Sequence, residues 1–228
     1  MEARLRRREN ARIQENKITT PKVWIFTEGD VTEPEYFGDW KREFLDRTDY
    51  TRLEIKKSDT KSDPKSVYER AEDCFNSSTN TDKKDYVFIV IDEDDRFNNK
   101  IQKNSLEAIF EKCSLGLNFC SNKINCIFSN RSFEFWGLLH FLEQPSTAPL
   151  TKKELKEKLQ LFLKKYNEKN KRFDFSLMKS NISRAKRLAQ AIRCLHHNNR
   201  DAPYVTRPTT NVDELIIFLE EYFHVKHF

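Results

Sequence analysis

Apolar positions along this chain follow two regimes. In the first half, short β-branched and aromatic runs alternate with segments of helical spacing; in the second half only helical spacing remains. The runs Val23-Trp24-Ile25-Phe26 and Tyr86-Val87-Phe88-Ile89-Val90-Ile91 predict buried strands over 22–28 and 86–91, the second being the most apolar and therefore central. Alternation over 53–57 predicts another strand, and 123–128 a fourth. Between them, Tyr36, Phe37, Trp40, Phe44 and Leu45 recur at helical spacing over 33–46, with Pro34 suited to a first helical turn. Asp63-Pro64 opens a second helix to about residue 75, and 101–115 reads as a third that stops at Gly116. Strands separated by helices imply parallel pairing through right-handed crossovers.

Beyond Ser129 the strand signals stop. Phe133, Phe135, Trp136, Leu138, Leu139, Phe141 and Leu142 predict an apolar helix interrupted by Gly137, and the stretch from Pro145 to Pro149 makes a break. Amphipathic helices follow over 155–166, 182–195 and 212–223. The expected organisation is a basic, flexible segment over 1–17, an α/β core over 18–143 and a helical region over 144–228 packed on it. The fold class expected is α/β, with a central, mostly parallel, four-stranded sheet flanked by helices.

Carboxylates gather where the two apolar strands end. Glu28 closes the first and is followed by Gly29, which would permit a positive φ and a close backbone approach by phosphate. Asp92, Asp94 and Asp95 close the second; in an extended chain Asp92 and Asp94 point to the same side, as two ligands of one Mg²⁺ or Mn²⁺ should, and a turn would let Asp95 join them. Strand ends are where an open α/β sheet places its site. Hard cations take oxygen ligands from one or two carboxylates and leave positions for water and phosphate, so the pattern suits a metal-dependent phosphodiester site. The structural alternatives are a glutamate capping an ordinary turn and an aspartate cluster neutralised by Arg96.

Two further carboxylates are candidates. Glu33 starts the first helix, where negative charge is favoured by the dipole, and it faces the same region. Glu134 sits among Phe133, Phe135 and Trp136, and a carboxylate in such a segment needs a metal or a partner such as Arg131. His140, inside an apolar helix, reads as a packed histidine.

Charge narrows the partner. The chain has 228 residues, enough to bury a sizeable core, and 41 basic against 36 acidic residues for a formal charge of +5. Distribution says more than balance: arginines crowd residues 4–12, and Lys179, Arg184, Lys186, Arg187, Arg193 and Arg200 recur through one late segment. Clustered cations give salt-dependent affinity for phosphate backbones, with solvated helix surface as the plain alternative. Lys179, Arg184 and Lys186 are candidates for neutralising charge that develops on a phosphate, and Arg96, Arg131, Arg184, Lys186 and Arg187 for holding nucleic acid. The five cysteines are odd in number and unpaired in spacing, which speaks for reduced thiols. With no apolar stretch of roughly 20 residues and no apolar signal region, a cytoplasmic protein with no membrane span is expected. No glycine-rich phosphate-binding loop of the ATPase type occurs among the four glycines.

Four stretches carry a resemblance to the RloB family, whose core looks like a Toprim domain. They are residues 27–37 (Thr-Glu-Gly-Asp-Val-Thr-Glu-Pro-Glu-Tyr-Phe), Ile91-Asp92-Glu93-Asp94, residues 129–141 (Ser-Asn-Arg-Ser-Phe-Glu-Phe-Trp-Gly-Leu-Leu-His-Phe) and Arg207-Pro208-Thr209-Thr210-Asn211-Val212, in order along almost the whole chain. Family members usually carry proline after the Ser-Asn pair; here Arg131 replaces it. The resemblance implies a Toprim-like core and gives Glu28 the role of general acid or base, or of ligand to a second metal. It also implies that Glu33, one residue off the spacing seen in OLD-type Toprim nucleases, helps hold a metal. It further implies an ABC- or AAA-type ATPase encoded nearby and a role in anti-phage abortive infection, with RNA such as tRNA, or DNA, as substrate. One-metal and two-metal mechanisms both stand at this point.

The competing class is a non-catalytic module that docks nucleic acid or an ATPase through its cationic helices. A primase-like Toprim enzyme is a third reading, for which the chain is small. The helical surfaces make a homodimer conceivable.

Overall fold

Strand β3 (Tyr86–Asp92) organises the sheet because every residue from Val87 to Ile91 is buried on one face or the other. Val87, Ile89 and Ile91 point to one side, Phe88 and Val90 to the other, the pattern of a strand covered on both faces. β1 (Val23–Thr27) and β5 (Ile124–Asn130) flank it in parallel, with Thr27 opposite Val90 and Asp92 opposite Ser129. β2 (Leu53–Lys56) extends the sheet beyond β1, and β4 (Ser114–Leu115) lies parallel to β5 on its far side. β6 (Thr209–Thr210) pairs antiparallel with the end of β5. The order is therefore β2-β1-β3-β5-β4, with β6 also on β5. This computed structural model describes residues 20–58, 63–77, 85–94, 96, 99–115, 119–167, 169–196 and 208–225; the basic segment over 1–17 lies outside them.

The expected α/β class and mostly parallel sheet are present, but with six strands among the described residues rather than four. Both additional strands are two residues long, too short for a period of two to show in sequence. The third predicted helix is shorter than its pattern for the same reason: it ends at Lys112, and Ser114 and Leu115 turn to pair with Asn125 and Cys126.

Helix α1 (Thr32–Phe44) lays Tyr36, Phe37 and Trp40 on the sheet face formed by Val23, Ile25, Phe88 and Val90. After the single turn α2 (Arg47–Tyr50), helices α3 (Pro64–Ser77) and α4 (Lys100–Lys112) cover the opposite face through Val67, Ala71, Leu106 and Phe110. The C-terminal helices are α5 (Glu134–Leu139), α6 (Lys152–Phe162), the one-turn α7 (Phe175–Met178), α8 (Ile182–His196) and α9 (Val212–Tyr222). They share the α1-side core, so this region completes one face of the sheet. Gly137 does not interrupt α5. A Cβ there would stand 2.6 Å from Phe173 Cζ, so the glycine makes room for that ring.

The 208–211 stretch is a clamp. Asn211 Oδ1 accepts from the Phe128 N–H at 2.7 Å and its Nδ2 donates to Cys126 O at 3.3 Å, so an amide side chain stands in for a neighbouring strand. Arg193 on α8 donates to Thr210 O at 2.5 Å and to both Asp213 carboxylate oxygens at 2.5 and 2.6 Å. Among the described residues no helix is long and apolar enough to cross a membrane.

The chain leaves β1 through α1 toward β2 and leaves β3 through α4 toward β5, with α1 and α4 on opposite faces. Such a reversal opens a crevice at the C-terminal ends of the two central strands. Glu28 and Asp92 stand at that crevice.

Candidate active site

Glu28 is the first residue past β1 and stays tied to β3. Its N–H donates to Val90 O at 3.0 Å, and its Oε2 accepts from the Asp92 N–H at 3.1 Å. The side chain is buried and grips the Arg96 guanidinium through both carboxylate oxygens. Burial raises the Glu28 pKa; Arg96 and the Asp92 N–H offset this only in part.

Asp92 ends β3 on the same face as Phe88 and Val90, the side covered by α1 and α5. Its Oδ1 is buried with no hydrogen-bond partner. Burial, then the charges of Glu33, Asp94, Glu28 and Glu134, push its pKa well above the carboxylate range. A buried carboxylate oxygen left without a donor costs free energy unless a proton or a cation satisfies it.

Glu33, in the first turn of α1, folds back so that Oε1 accepts from the Gly29 N–H at 3.2 Å. A Cβ on Gly29 would lie 2.0 Å from Glu33 Oε2. The glycine expected to supply a positive φ does not adopt one; its missing side chain is the space the Glu33 carboxylate occupies. Burial, then Glu134 and Glu28, hold the Glu33 pKa above its ordinary range.

Asp94 reaches the cluster by a different route from the one expected. The strand stops at Asp92, and Asp94 sits at φ 45°, a left-handed conformation that aspartate tolerates better than most residues. Strand alternation therefore does not align Asp92 and Asp94. The turn is held by the Asp94 N–H donating to Arg131 O at 3.0 Å, and Asp94 still acts electrostatically on both Asp92 and Glu28. Asp95 lies outside the described residues. Glu134, in the first turn of α5, is buried and accepts from the Tyr166 hydroxyl at 2.5 Å.

The cations distribute unevenly. Arg96 is inside the cluster, bound to Glu28. Lys179 is elsewhere: it pairs with Glu43 at 2.6 Å, at the far end of α1 from Glu33, ten residues and thus about 15 Å along the helix. Arg184 pairs with Glu143 at 3.3 Å, Lys186 with the buried Glu220 at 2.5 Å, and Arg187 is exposed on α8. The lysine that does reach the carboxylates is Lys152, at the start of α6, whose Nζ donates to Asp94 Oδ1 at 2.5 Å. Burial works against its ammonium, but Asp94, Glu134 and Asp92 together hold its pKa above the ordinary value.

Sequence reasoning missed Lys152 and Tyr166. The Thr151–Glu154 capping box, complete in the structure, was a local signal that Lys152 opens a helix. Nothing local marks Tyr166. His140 is buried, with Nδ1 on Trp136 O at 3.0 Å and Nε2 3.4 Å from the Tyr36 hydroxyl, and burial lowers its pKa to about 4. It is a neutral packed imidazole.

The donor set suits a hard cation. Glu28, Glu33, Asp92, Asp94 and Glu134 offer only carboxylate oxygens, Asp92 Oδ1 is orphaned, and Gly29 leaves a cradle that Glu33 fills. In the arrangement seen, Arg96, Lys152, Tyr166 and the Gly29 N–H occupy the other carboxylates. Among the described residues no three acidic, histidine or cysteine side chains already converge on one ligation point. A family model described as RloB-like protein matches residues 23–219, from β1 through most of α9 and including Glu28, Glu33, Asp92, Asp94 and Glu134. No curated protein and no solved structure matches the chain.

Proposed function

The chain belongs to the RloB-like protein family, and from that membership and the five-carboxylate cluster we propose a Mg²⁺- or Mn²⁺-dependent nuclease that cleaves a phosphodiester bond in RNA or DNA. The observation that carries this is Asp92 Oδ1, buried at the crevice among like charges with no donor to satisfy it. Asp92, Glu33 and Glu28 are the residues that would hold the cation, with Asp94 beside them. When bound, the ion would neutralise phosphate charge and lower the pKa of a coordinated water. Glu28, whose pKa burial raises above the ordinary carboxylate value, is the candidate for holding or passing a proton, and Arg96 orients it. Lys152 supplies a partly exposed positive charge beside Asp94, the group suited to neutralise a phosphate oxygen there. Tyr166 orients Glu134. The family resemblance extends the proposal to anti-phage defence, under control of an ABC- or AAA-type ATPase, with a homodimer as an open assembly.

The second reading is a binding module whose acidic cluster is structural. Its support is that Arg96 and Lys152 already neutralise Glu28 and Asp94. The two separate on one experiment: purified protein, with and without its neighbouring ATPase, is incubated with labelled tRNA, single-stranded DNA and duplex DNA in Mg²⁺ or Mn²⁺. Cleavage abolished by EDTA, Asp92→Ala and Glu28→Ala establishes the nuclease. Folded protein that cleaves nothing in either metal leaves the binding module.

A further inference from the structure

Between α6 and α7 the chain presents five exposed cations, Lys164, Lys165, Lys169, Lys171 and Arg172, and the sequence over 164–172 sets one acidic residue, Glu168, against them. Surface lysines alone mean little. Three features set these apart from the cations of α8. They are largely uncommitted: among the described residues only Arg172 forms ion pairs, with Glu35 at 3.4 Å and Asp39 at 3.3 Å. Arg184, Lys186 and Arg193 are instead spent on Glu143, Glu220 and Asp213.

The backbone that carries them is stapled. Asn167 Oδ1 accepts from the N–H groups of Lys169 and Asn170, both at 2.9 Å, and Asn170 Nδ2 donates to Lys165 O at 3.0 Å. Asn170 Oδ1 in turn accepts from the Arg172 N–H at 3.3 Å. Little backbone ordering entropy remains to be lost when a ligand binds such a surface.

The segment is also registered to the carboxylate cluster at both ends. The Tyr166 hydroxyl reaches Glu134 at 2.5 Å, and the Thr32 hydroxyl, at the start of α1, donates to Lys171 O at 3.0 Å. Phe173 inserts against Phe133. The backbone of this segment therefore adjoins the first turn of α1, which carries Glu33, and is tied through Tyr166 to Glu134.

We propose that Lys164, Lys165, Lys169 and Lys171, with Phe162, form the docking track for a single-stranded nucleic acid that leads into the carboxylate cluster; this rests on the nuclease reading above and names how its substrate is held. The strandedness comes from Phe162. One face of its ring stacks on Phe141, centroids 4.9 Å apart and planes 5° from parallel, yet the residue is 41% exposed, two residues before Lys164. A rigid, half-open aromatic next to a cationic run is a platform for an unpaired base, which a duplex does not offer.

The test is fluorescence anisotropy with labelled single-stranded RNA and DNA of about 20 nucleotides, longer than one binding site, and the matching duplex. The full chain carries Asp92→Asn to prevent cleavage, and EDTA is present. Lys164→Glu/Lys165→Glu/Lys169→Glu should weaken single-strand binding at least about tenfold and flatten log K against log salt by about 2, as three lost phosphate contacts require. Phe162→Ala should weaken it about tenfold while leaving the salt slope intact. Thermal midpoints close to that of the parent show that the variants fold, and the triple alanine variant repeats the test without introduced negative charge. Unchanged affinity and slope in both triple variants overturns the track and leaves the nuclease reading standing. Duplex bound as tightly as single strand, with Phe162→Ala silent, overturns the single-strand assignment. Loss of binding in the variants together with no cleavage by the unsubstituted chain in Mg²⁺ keeps the track and removes the nuclease. Absence of binding by the parent overturns the track outright.

Discussion

Gly29→Ala perturbs Glu33 without altering a carboxylate. A Cβ at residue 29 would stand 2.0 Å from Glu33 Oε2 and 2.7 Å from Oε1, against an ordinary heavy-atom contact of about 3.5 Å. The carboxylate must retreat by more than about 1 Å, and the 3.2 Å bond from the Gly29 N–H is lost. For stability two effects oppose each other. The lost bond costs about 0.5–1.5 kcal/mol, while alanine returns about 0.4–1 kcal/mol by restricting the unfolded chain, because residue 29 is not in the left-handed region. The net change is under about 1 kcal/mol, a midpoint shift of less than about 4 °C for a chain of this size. For the site the displacement is large: moving a positioned group by about 1 Å costs on the order of 100-fold. Mn²⁺ affinity by titration calorimetry and Mg²⁺-dependent cleavage should both fall on that scale, and Gly29→Ala should add little to Glu33→Gln in a double-mutant cycle. Unchanged Mn²⁺ affinity would show that Glu33 holds no cation. A midpoint lower by more than about 10 °C would show that the glycine serves the fold.

In EDTA at neutral pH, Asp92→Asn should stabilise the protein by about 1–3 kcal/mol, because a neutral amide removes the cost of burying charge at residue 92 and its repulsion from Glu33 and Asp94; a lower denaturation midpoint would refute this. With Mg²⁺ added the ranking should invert, since only the parent gains from ligation. His140 is lowered by burial to about 4 from an ordinary 6.5, so the folded state binds fewer protons in that window. Its contribution is complete above pH 6.5 and is lost as pH falls toward 4, about 2 kcal/mol between pH 7 and pH 5. Urea denaturation of the parent and of His140→Gln at both pH values should show that difference in slope, and parallel profiles would exclude a buried neutral imidazole. Gly137→Ala drives a methyl to 2.6 Å from Phe173 Cζ, inside a packed core, and should cost about 1–3 kcal/mol; a midpoint within about 2 °C of the parent would mean that Phe173 moves aside freely.

Local patterning was enough to determine the α/β class, the central strand, the first helix and the position of Glu28 and Asp92 at strand ends. Each of these depends on a period of two or 3.6 that neighbouring residues carry. Glu33 was legible for the same reason, through its place at a helix start. Tertiary structure decided the rest. The Lys152–Asp94 bond joins residues 58 positions apart and Tyr166–Glu134 joins residues 32 apart, separations no periodicity encodes. Gly29 looked like a backbone device and became a space for a side chain, because the occupant of that space arrives from a different turn. Asp94 looked like a strand residue and entered the cluster through a left-handed turn held by Arg131 O. The late lysines and arginines looked equivalent in sequence; folding spent Arg184, Lys186 and Arg193 on acidic partners and left Arg187, Lys164, Lys165, Lys169 and Lys171 exposed. Residue type and spacing determine which groups can be charged and which segments are buried, but whether a charge is neutralised depends on what the fold brings within a few ångströms of it.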